Sequence, residues 1–362
     1  MGPLHGFKII EMAAIGPVPF CGMLLSDMGA DVVRIDRQGV VSMFPDNPVN
    51  RGRRSIELNL KVDNDRELAL ALISKADALI EGYRPGVMER LGLSPDVCLQ
   101  QNKKLVYGRM TGWGQYGPLA NAAGHDINYI ALTGALHAMG ADSRAPHPPL
   151  NLVGDYGGGS LYLAMGVLAA LLEAGRSGQG QVIDAAMTDG SASLMTMFYG
   201  MMAAGSWRSK PGHNLLDGGA PFYDCYTCAD GRHISIGPIE PQFYAELLQR
   251  CEITAPVMQA QMAVKTWPEQ KQILSNVFKG KTRDEWCQIL EGTDVCFAPV
   301  LDMNEATRHA HNVARSTFVE SHGQLQPAPA PRFSRTQGKI SRPAPGTDQH
   351  RQQIIDDWNI VR

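Results

Sequence analysis

The segment FKIIEMAAIGPVPFCGMLLSDMGADVVRI, residues 7–35, carries the main architectural signal of this chain. Phe7 to Ala13 reads as a short buried strand, Pro19 to Met28 as a helix and Asp31 to Ile35 as a second strand. Pro17 and Pro19 suit a helix entry, where a missing N–H costs nothing, and Gly29 suits the exit. The alternation continues downstream. Glu67 to Lys75 reads as a helix, Ala78 to Ile80 and Leu105 to Arg109 as strands. Leu161 to Ala174 reads as an apolar helix stopped near Gly175, and Gln181 to Ala185 as a further strand. Strands alternating with helices predict a parallel sheet with right-handed crossovers. The expected fold is α/β, with a Rossmann-like large domain over residues 1–190, completed by about 330–362.

Beyond Gly190 the pattern changes. Ser191 to Ala204 is rich in Met and predicts a long connecting helix within a linker at 191–220. Strands at Tyr223 to Thr227 and His233 to Gly237 follow, with helices at Gln242 to Cys251, Trp267 to Phe278 and Thr282 to Leu290. Together they predict a smaller α+β domain over 221–320. Pro327-Ala328-Pro329-Ala330-Pro331 predicts a stiff extended return inside a linker at 321–335. Arg351 to Trp358 reads as a last helix.

Composition narrows the function classes. The 362 residues suit two domains with a substantial core. A hydrophobic share of 44% and a net charge of −3 describe an ordinary globular chain. They argue against nucleic acid as the main partner, which calls for a strongly basic face. Met1 to Gly6 has neither a charged start nor an apolar run, so no signal peptide is expected. Leu161 to Leu172 is shorter than a membrane span, so no membrane partner is expected either. Seven scattered cysteines suggest a reducing compartment, with cytoplasm as the expected location. Cys225 and Cys228 lack a second pair or a His-x-His, so they read as strand or turn residues and no metal is expected. The first strand–helix turn, Ala14-Ile15-Gly16-Pro17-Val18-Pro19, has two prolines and no Gly-x-Gly-x-x-Gly, which excludes a nicotinamide dinucleotide site.

Two segments carry chemistry. They are Gly124-His125-Asp126-Ile127-Asn128-Tyr129 and Asn151-Leu152-Val153-Gly154-Asp155-Tyr156-Gly157-Gly158-Gly159. Each offers a proton carrier beside glycine, where the backbone can turn sharply and approach a ligand. Two unlike acid/base groups facing one carbon are what a 1,1-proton transfer needs. Spacing alone does not make them face each other. On residue type alone His125 serves a structural role as readily, Asp126 a helix N-cap and Asp155 a turn or cap before Gly157. Glu240 reads as a solvent-facing carboxylate. Arg34, Arg37, Arg51, Arg53, Arg54, Lys61, Arg84 and Arg90 each read as solvated surface charges, though collectively they suit phosphate groups.

At these two segments the chain resembles the α-methylacyl-CoA racemases, a branch of the family III CoA transferases. The likeness runs over roughly residues 5 to 335. It includes Gly29-Ala30-Asp31-Val32-Val33-Arg34-Ile35-Asp36-Arg37, Glu81-Gly82-Tyr83-Arg84-Pro85-Gly86 and Arg109-Met110-Thr111-Gly112-Trp113-Gly114-Gln115. Leu216-Asp217-Gly218-Gly219-Ala220-Pro221 and Gly237-Pro238-Ile239-Glu240-Pro241-Gln242-Phe243-Tyr244 extend it.

The resemblance implies an interlocked homodimer, an acyl-CoA thioester substrate and no cofactor, coenzyme A being part of the substrate. It implies His125 as one catalytic base and Asp155 as the second acid/base. An ordinary aspartic acid donates poorly at neutral pH, so the Asp155 site is expected to raise its carboxyl pKa by partial burial beside the apolar helix that follows. The resemblance implies that Asp126 holds the thioester oxygen through its backbone N–H, and that Glu240 hydrogen-bonds the histidine from across a domain or subunit junction. Arg37, Leu58, Asn59, Gly82 and Arg90 are the implied coenzyme A contacts, with Arg34, Arg84 and Lys61 as secondary candidates. Met187, Met195, Met197, Met201 and Met202 suit either an adaptable surface for acyl tails or plain core packing. The implied reaction is racemisation of 2-methylacyl-CoA through an enolate. The alternative is CoA transfer to a carboxylic acid, with Asp155 as nucleophile through an aspartyl-CoA intermediate. His125 and Glu240 favour the racemase, since a transferase needs neither. A non-catalytic acyl-CoA binder is the third possibility, and the His, Asp and Glu set speaks against it.

Overall fold

A computed structural model describes residues 1–40, 46–141 and 145–360. The chain divides into two compact units, one of residues 1–135, 148–196 and 316–362, the other of 136–147 and 197–315. In the first unit six strands form one sheet: β1 (Lys8–Met12), β2 (Asp31–Arg37), β3 (Arg54–Leu58), β4 (Ala78–Glu81), β5 (Val106–Thr111) and β6 (Val182–Ala186). Their order is β3-β2-β1-β4-β5-β6, and every neighbouring pair is parallel. The chain direction across the sheet reverses between β1 and β4, as in doubly wound α/β folds.

Both faces of this sheet are covered, so β1 and β2 are buried along most of their length, paired charges as well as apolar residues. Ile10, Met12, Val33, Ile35 and Leu79 pack with the helix Asp63–Ser74 and the C-terminal helix Arg351–Asp357. Ile9, Val32, Ile80 and Val106 pack on the other face with the helices Pro17–Asp27 and Leu161–Ser177. The first helix begins two residues earlier than expected, with Pro17 at its first position. The Leu161–Ser177 helix passes through Gly175 and ends at Gly178, which adopts φ 77°. A π-helix, Leu152–Ser160, runs directly into it. The combined 26-residue run is therefore long and apolar enough to cross a membrane, contrary to the shorter stretch expected. Its Leu163, Ala164, Val167, Ala170 and Ala174 are buried in the core of this unit.

The strand β3 lies where only surface charges were expected, and its basic residues correct that reading. Arg53 is fully buried against Glu11 of β1, with Nε 3.0 Å from the carboxylate. It also donates to the carbonyls of Val49 (2.6 Å), Arg51 (2.9 Å) and Pro19. Burial is what dominates this pair, pushing the Glu11 carboxyl up and the guanidinium down. Arg51 grips Asp27 at 2.6 Å, and Arg54 donates to Asp31 and to Asp357 of the last helix. Arg34 pairs with Asp36 at 2.8 Å. These four arginines hold the sheet and its edges. They are buried structural groups.

In the second unit β7 (Asp224–Thr227), β8 (His233–Ile236) and β9 (Phe297–Val300) form an antiparallel sheet. The helices Pro241–Arg250, Trp267–Phe278 and Arg283–Leu290 share its core, through Leu247, Phe278 and Trp286. β9 was not among the expected strands; it sits at the sheet edge, where the missing donor of Pro299 is tolerated. The expected long connecting helix is two helices, Met187–Leu194 and Thr196–Ala203, broken at Met195. A hairpin, β10 (Phe318–Ser321) with β11 (Gln324–Pro327), spans the expected end of the small domain and the start of the return linker, and belongs to the first unit. Arg51 fastens it by donating to Gln326 Oε1 and the Pro327 carbonyl, both at 2.8 Å.

Arg53 is expected to govern stability. Arg53→Ala leaves Glu11 buried without its partner, a loss of about 3–5 kcal/mol. Urea unfolding reads this as a lower midpoint; a wild-type midpoint would show that the pair does not hold β3 in place.

Candidate active site

In a doubly wound sheet, ligands bind at the carboxyl ends of the strands, near the point where strand order reverses. The candidate residues of the first unit gather along that edge. Arg37 ends β2, Leu58 ends β3 with Asn59 after it, Gly82, Arg84 and Arg90 follow β4, and His125 follows β5. Arg37, Arg84, Arg90 and Lys61 are exposed, whereas Leu58 is buried. The Asn59 side chain accepts from the Lys61 N–H at 3.2 Å, closing a tight turn. Gly82 has no room for a side chain, since a Cβ would lie 2.8 Å from Val18.

Beneath Gly82 sits a group that residue-by-residue reading missed. Glu81 accepts from the Tyr83 N–H at 2.7 Å and from Arg109 Nε at 3.1 Å. Arg109 also reaches Glu89 at 2.9 Å, so one guanidinium ties the strand end to the following short helix. Burial pushes the Glu81 carboxyl up to about 7, against the pull of the Tyr83 N–H and of Arg109. Glu81 opens the segment 81–86 and Arg109 the segment 109–115, and their opposite charges on neighbouring strands were the available signal.

His125 is exposed and extended, immediately before the helix Asp126–Leu132. Its N–H donates to Asn128 Oδ1 at 3.0 Å. The turn is fixed from behind by Tyr129, whose hydroxyl donates to the Gly124 carbonyl and whose ring meets Trp113 edge-on at 4.8 Å.

Asp155 is the fourth residue of the π-helix Leu152–Ser160, where a turn or cap residue was expected. π-Helices are rare and concentrate at functional sites. The glycines here approach protein. A Cβ on Gly190 would lie 1.8 Å from the Gly158 carbonyl, and one on Gly154 would lie 2.6 Å from Asp126 Oδ2. The Asp155 N–H donates to Asp126 Oδ2 at 2.7 Å, joining segments 29 residues apart. Asn151 Nδ2 donates to Asp155 Oδ2 at 3.1 Å, and Ser160 Oγ donates to the Asp155 and Pro17 carbonyls. Gly16, just past β1, brings its α-carbon so close that a Cβ would lie 3.1 Å from Asp155 Oδ2. Burial raises the Asp155 carboxyl above the usual range; the Asn151 hydrogen bond opposes this, the Asp126 charge adds to it and His125 opposes it.

Glu240 belongs to the second unit, where it is exposed and precedes the helix Pro241–Arg250. Gln261, unremarked in the sequence, fixes its turn by donating to the Pro238 and Ile239 carbonyls at 3.0 and 2.9 Å. Met187 is buried, while Met197 and Met202 are about half exposed. Cys225 and Cys228 are free thiols. Among the described residues, no group of three or more His, Cys, Asp or Glu side chains is placed to hold a metal.

A family model described as CoA-transferase family III matches residues 4–351. The chain belongs to that family. It is 44% identical over 359 residues to a mouse protein named alpha-methylacyl-CoA racemase, spanning 99% of this chain and 93% of that one. A human protein of the same name is 40% identical over 361 residues, spanning 99% and 94%. A solved CAIB/BAIF family protein from Brucella suis superposes with a TM-score of 0.85 at 24% identity, covering 99% of each chain, and so shares the fold. In this family III chain, then, the residue after His125 holds the backbone N–H of a partly buried Asp155.

The raised Asp155 pKa has a measurable sign. The native state binds this proton more tightly than the unfolded chain, whose aspartates titrate near ~4. The resulting stabilisation is complete below that pH and is lost as pH rises through the folded value. Asp155→Asn should therefore raise the melting temperature at pH 7 relative to wild type, with the gain vanishing in acid. An equal effect at both pH values would contradict the burial argument.

Proposed function

We propose that this protein interconverts (R)- and (S)-2-methylacyl-CoA thioesters by 1,1-proton transfer through an enolate. The observation that carries the reading is the bond from the Asp155 N–H to the Asp126 carboxylate, which ties the segment of Asp155 to the residue after His125. The near full-length likeness to proteins named alpha-methylacyl-CoA racemase supports it.

For one enantiomer His125 removes the α-proton, the backbone N–H of Asp126 holds the thioester oxygen as charge develops, and Asp155 returns a proton to the opposite face. The reverse direction exchanges the roles. A carboxyl raised by burial suits the donor role, since an ordinary aspartic acid keeps few protons at neutral pH. Acid/base catalysis supplies about 10²–10⁴-fold, so stabilisation of the enolate oxygen carries much of the remainder. Glu240 is assigned to orient the imidazole. Arg37, Leu58, Asn59, Gly82, Arg84 and Arg90 are assigned to coenzyme A; their common position at the strand ends supports this, and the exposed guanidiniums suit phosphates. No cofactor is needed, and the reaction fits lipid metabolism.

A homodimer is part of the proposal. Leu161, Met165 and Leu172 expose 51%, 59% and 71% of their surface along one helix, an apolar stripe that suits a second copy. The cytoplasm is the proposed location, supported by seven free thiols. The second reading, CoA transfer with Asp155 as nucleophile, is kept by the family membership itself.

The test is conversion of a single enantiomer of a 2-methylacyl-CoA in heavy water. Wild-type protein should invert the centre and place solvent deuterium at C2, while His125→Ala and Asp155→Ala should each lose inversion. Inversion without deuterium in the product would exclude this route. A coenzyme A adduct trapped on Asp155 would favour transfer.

A further inference from the structure

We infer that the Asp126 side chain is a positioning residue that sets the gap between the two proton carriers. The inference rests on the racemase reading of His125 and Asp155 but concerns a group that reading leaves idle, the Asp126 carboxylate.

The chain of contacts is short. His125 is covalently next to Asp126, and Asp126 Oδ2 accepts from the backbone N–H of Asp155 at 2.7 Å. One peptide link and one hydrogen bond thus tie together the backbones that carry the imidazole and the carboxyl. Asp126 is only 6% exposed, so water does not compete freely for that bond. Its Oδ1 is buried with no hydrogen-bond partner among the described residues, which leaves the Asp155 N–H as the contact that orients the carboxylate.

The π-helix needs this bond as much as the site does. The first N–H groups of a helix have no acceptor within it, and Asp155 lies in that first turn. The residue at the N-cap, Asn151, makes no side-chain cap bond and spends its amide on the Asp155 carboxylate. The cap is supplied from another segment. Gly154 admits it, because any side chain there would place a carbon 2.6 Å from Asp126 Oδ2. Asp155 is then held at its N–H by Asp126, at Oδ2 by Asn151, and against the Gly16 backbone. The charged or titratable groups acting on it are Asp126 and His125, and Tyr129 responds to its charge in turn.

Three variants test this, and none removes the Asp126 N–H assigned to the thioester oxygen. Asp126→Ala deletes the acceptor. Gly154→Ala pushes the backbone off an intact Asp126. Asp126→Asn keeps an oxygen for the Asp155 N–H. With a 2-methylacyl-CoA bearing one stereocentre, inversion should fall about 10- to 100-fold in the Ala variants, the cost of misplacing a reacting group by about 1 Å. It should recover in Asp126→Asn, and KM should change little throughout. In heavy water the Ala variants should still exchange the α-proton of the enantiomer served by His125, whose exposed imidazole trades protons with solvent, while exchange of the other enantiomer fails. Equal loss for both enantiomers, or an Asn variant as impaired as Ala, overturns the inference.

Amide hydrogen exchange at Asp155, read by NMR, reports the bond apart from any reaction. The amide should be protected in wild type and Asp126→Asn and open in Asp126→Ala; unchanged protection in Asp126→Ala overturns the inference. If wild-type protein shows no exchange at C2, the racemase reading falls and takes the placing of proton carriers with it, while the amide result still decides whether the Asp126 carboxylate holds the Asp155 N–H.

Discussion

The backbone of residues 152–160 has to approach its neighbours more closely than any side chain permits. Gly158 meets Gly190 of the Met187–Leu194 helix carbonyl to α-carbon, and Gly154 meets the Asp126 carboxylate. A segment with four glycines would cost too much entropy as an isolated helix. Here that cost is offset by packing on three sides, from the helices Pro17–Asp27, Asp126–Leu132 and Met187–Leu194. The result is a widened helical turn that carries a carboxyl group to the strand ends, where the loops after β1 and β5 also arrive. Position follows from the absence of side chains.

Charge is distributed by the same logic of burial. Along the sheet, arginines and carboxylates pair inside: Arg53 with Glu11, Arg34 with Asp36, Arg109 with Glu81. These pairs lie next to the exposed residues Arg37, Gly82 and Arg84 without sharing their exposure. A basic cluster in the sequence therefore contained two populations. One holds the scaffold; the other faces solvent at the edge and is available to phosphates.

That division marks what was legible in the sequence. The β1–helix–β2 unit was plain, because Ile9-Ile10 and Val32-Val33 centre two short strands and prolines mark the helix entry between them. β3 was not, since Arg53-Arg54-Ser55 looks like surface until Glu11, Asp31 and Asp36 are seen opposite. β9 was hidden by Pro299 at an edge, and β11 by the polar alternation of Gln324 and Gln326. His125 and Asp155 were visible as residue types beside glycine. The π-helix that presents Asp155 was not, because a glycine run signals a turn unless its packing partners are known. Gln261, Asn151 and Glu81 act through backbone groups of other segments, contacts that no local pattern encodes.

The account reduces to geometry around one carbon. Its most direct test is a crystal structure with a non-reactive thioether analogue of a 2-methylacyl-CoA. The account predicts C2 about 3–3.5 Å from both the His125 imidazole and the Asp155 carboxyl, on opposite sides, as proton transfer requires. A bound analogue whose C2 contacts only one of these groups, or both from the same side, would contradict it.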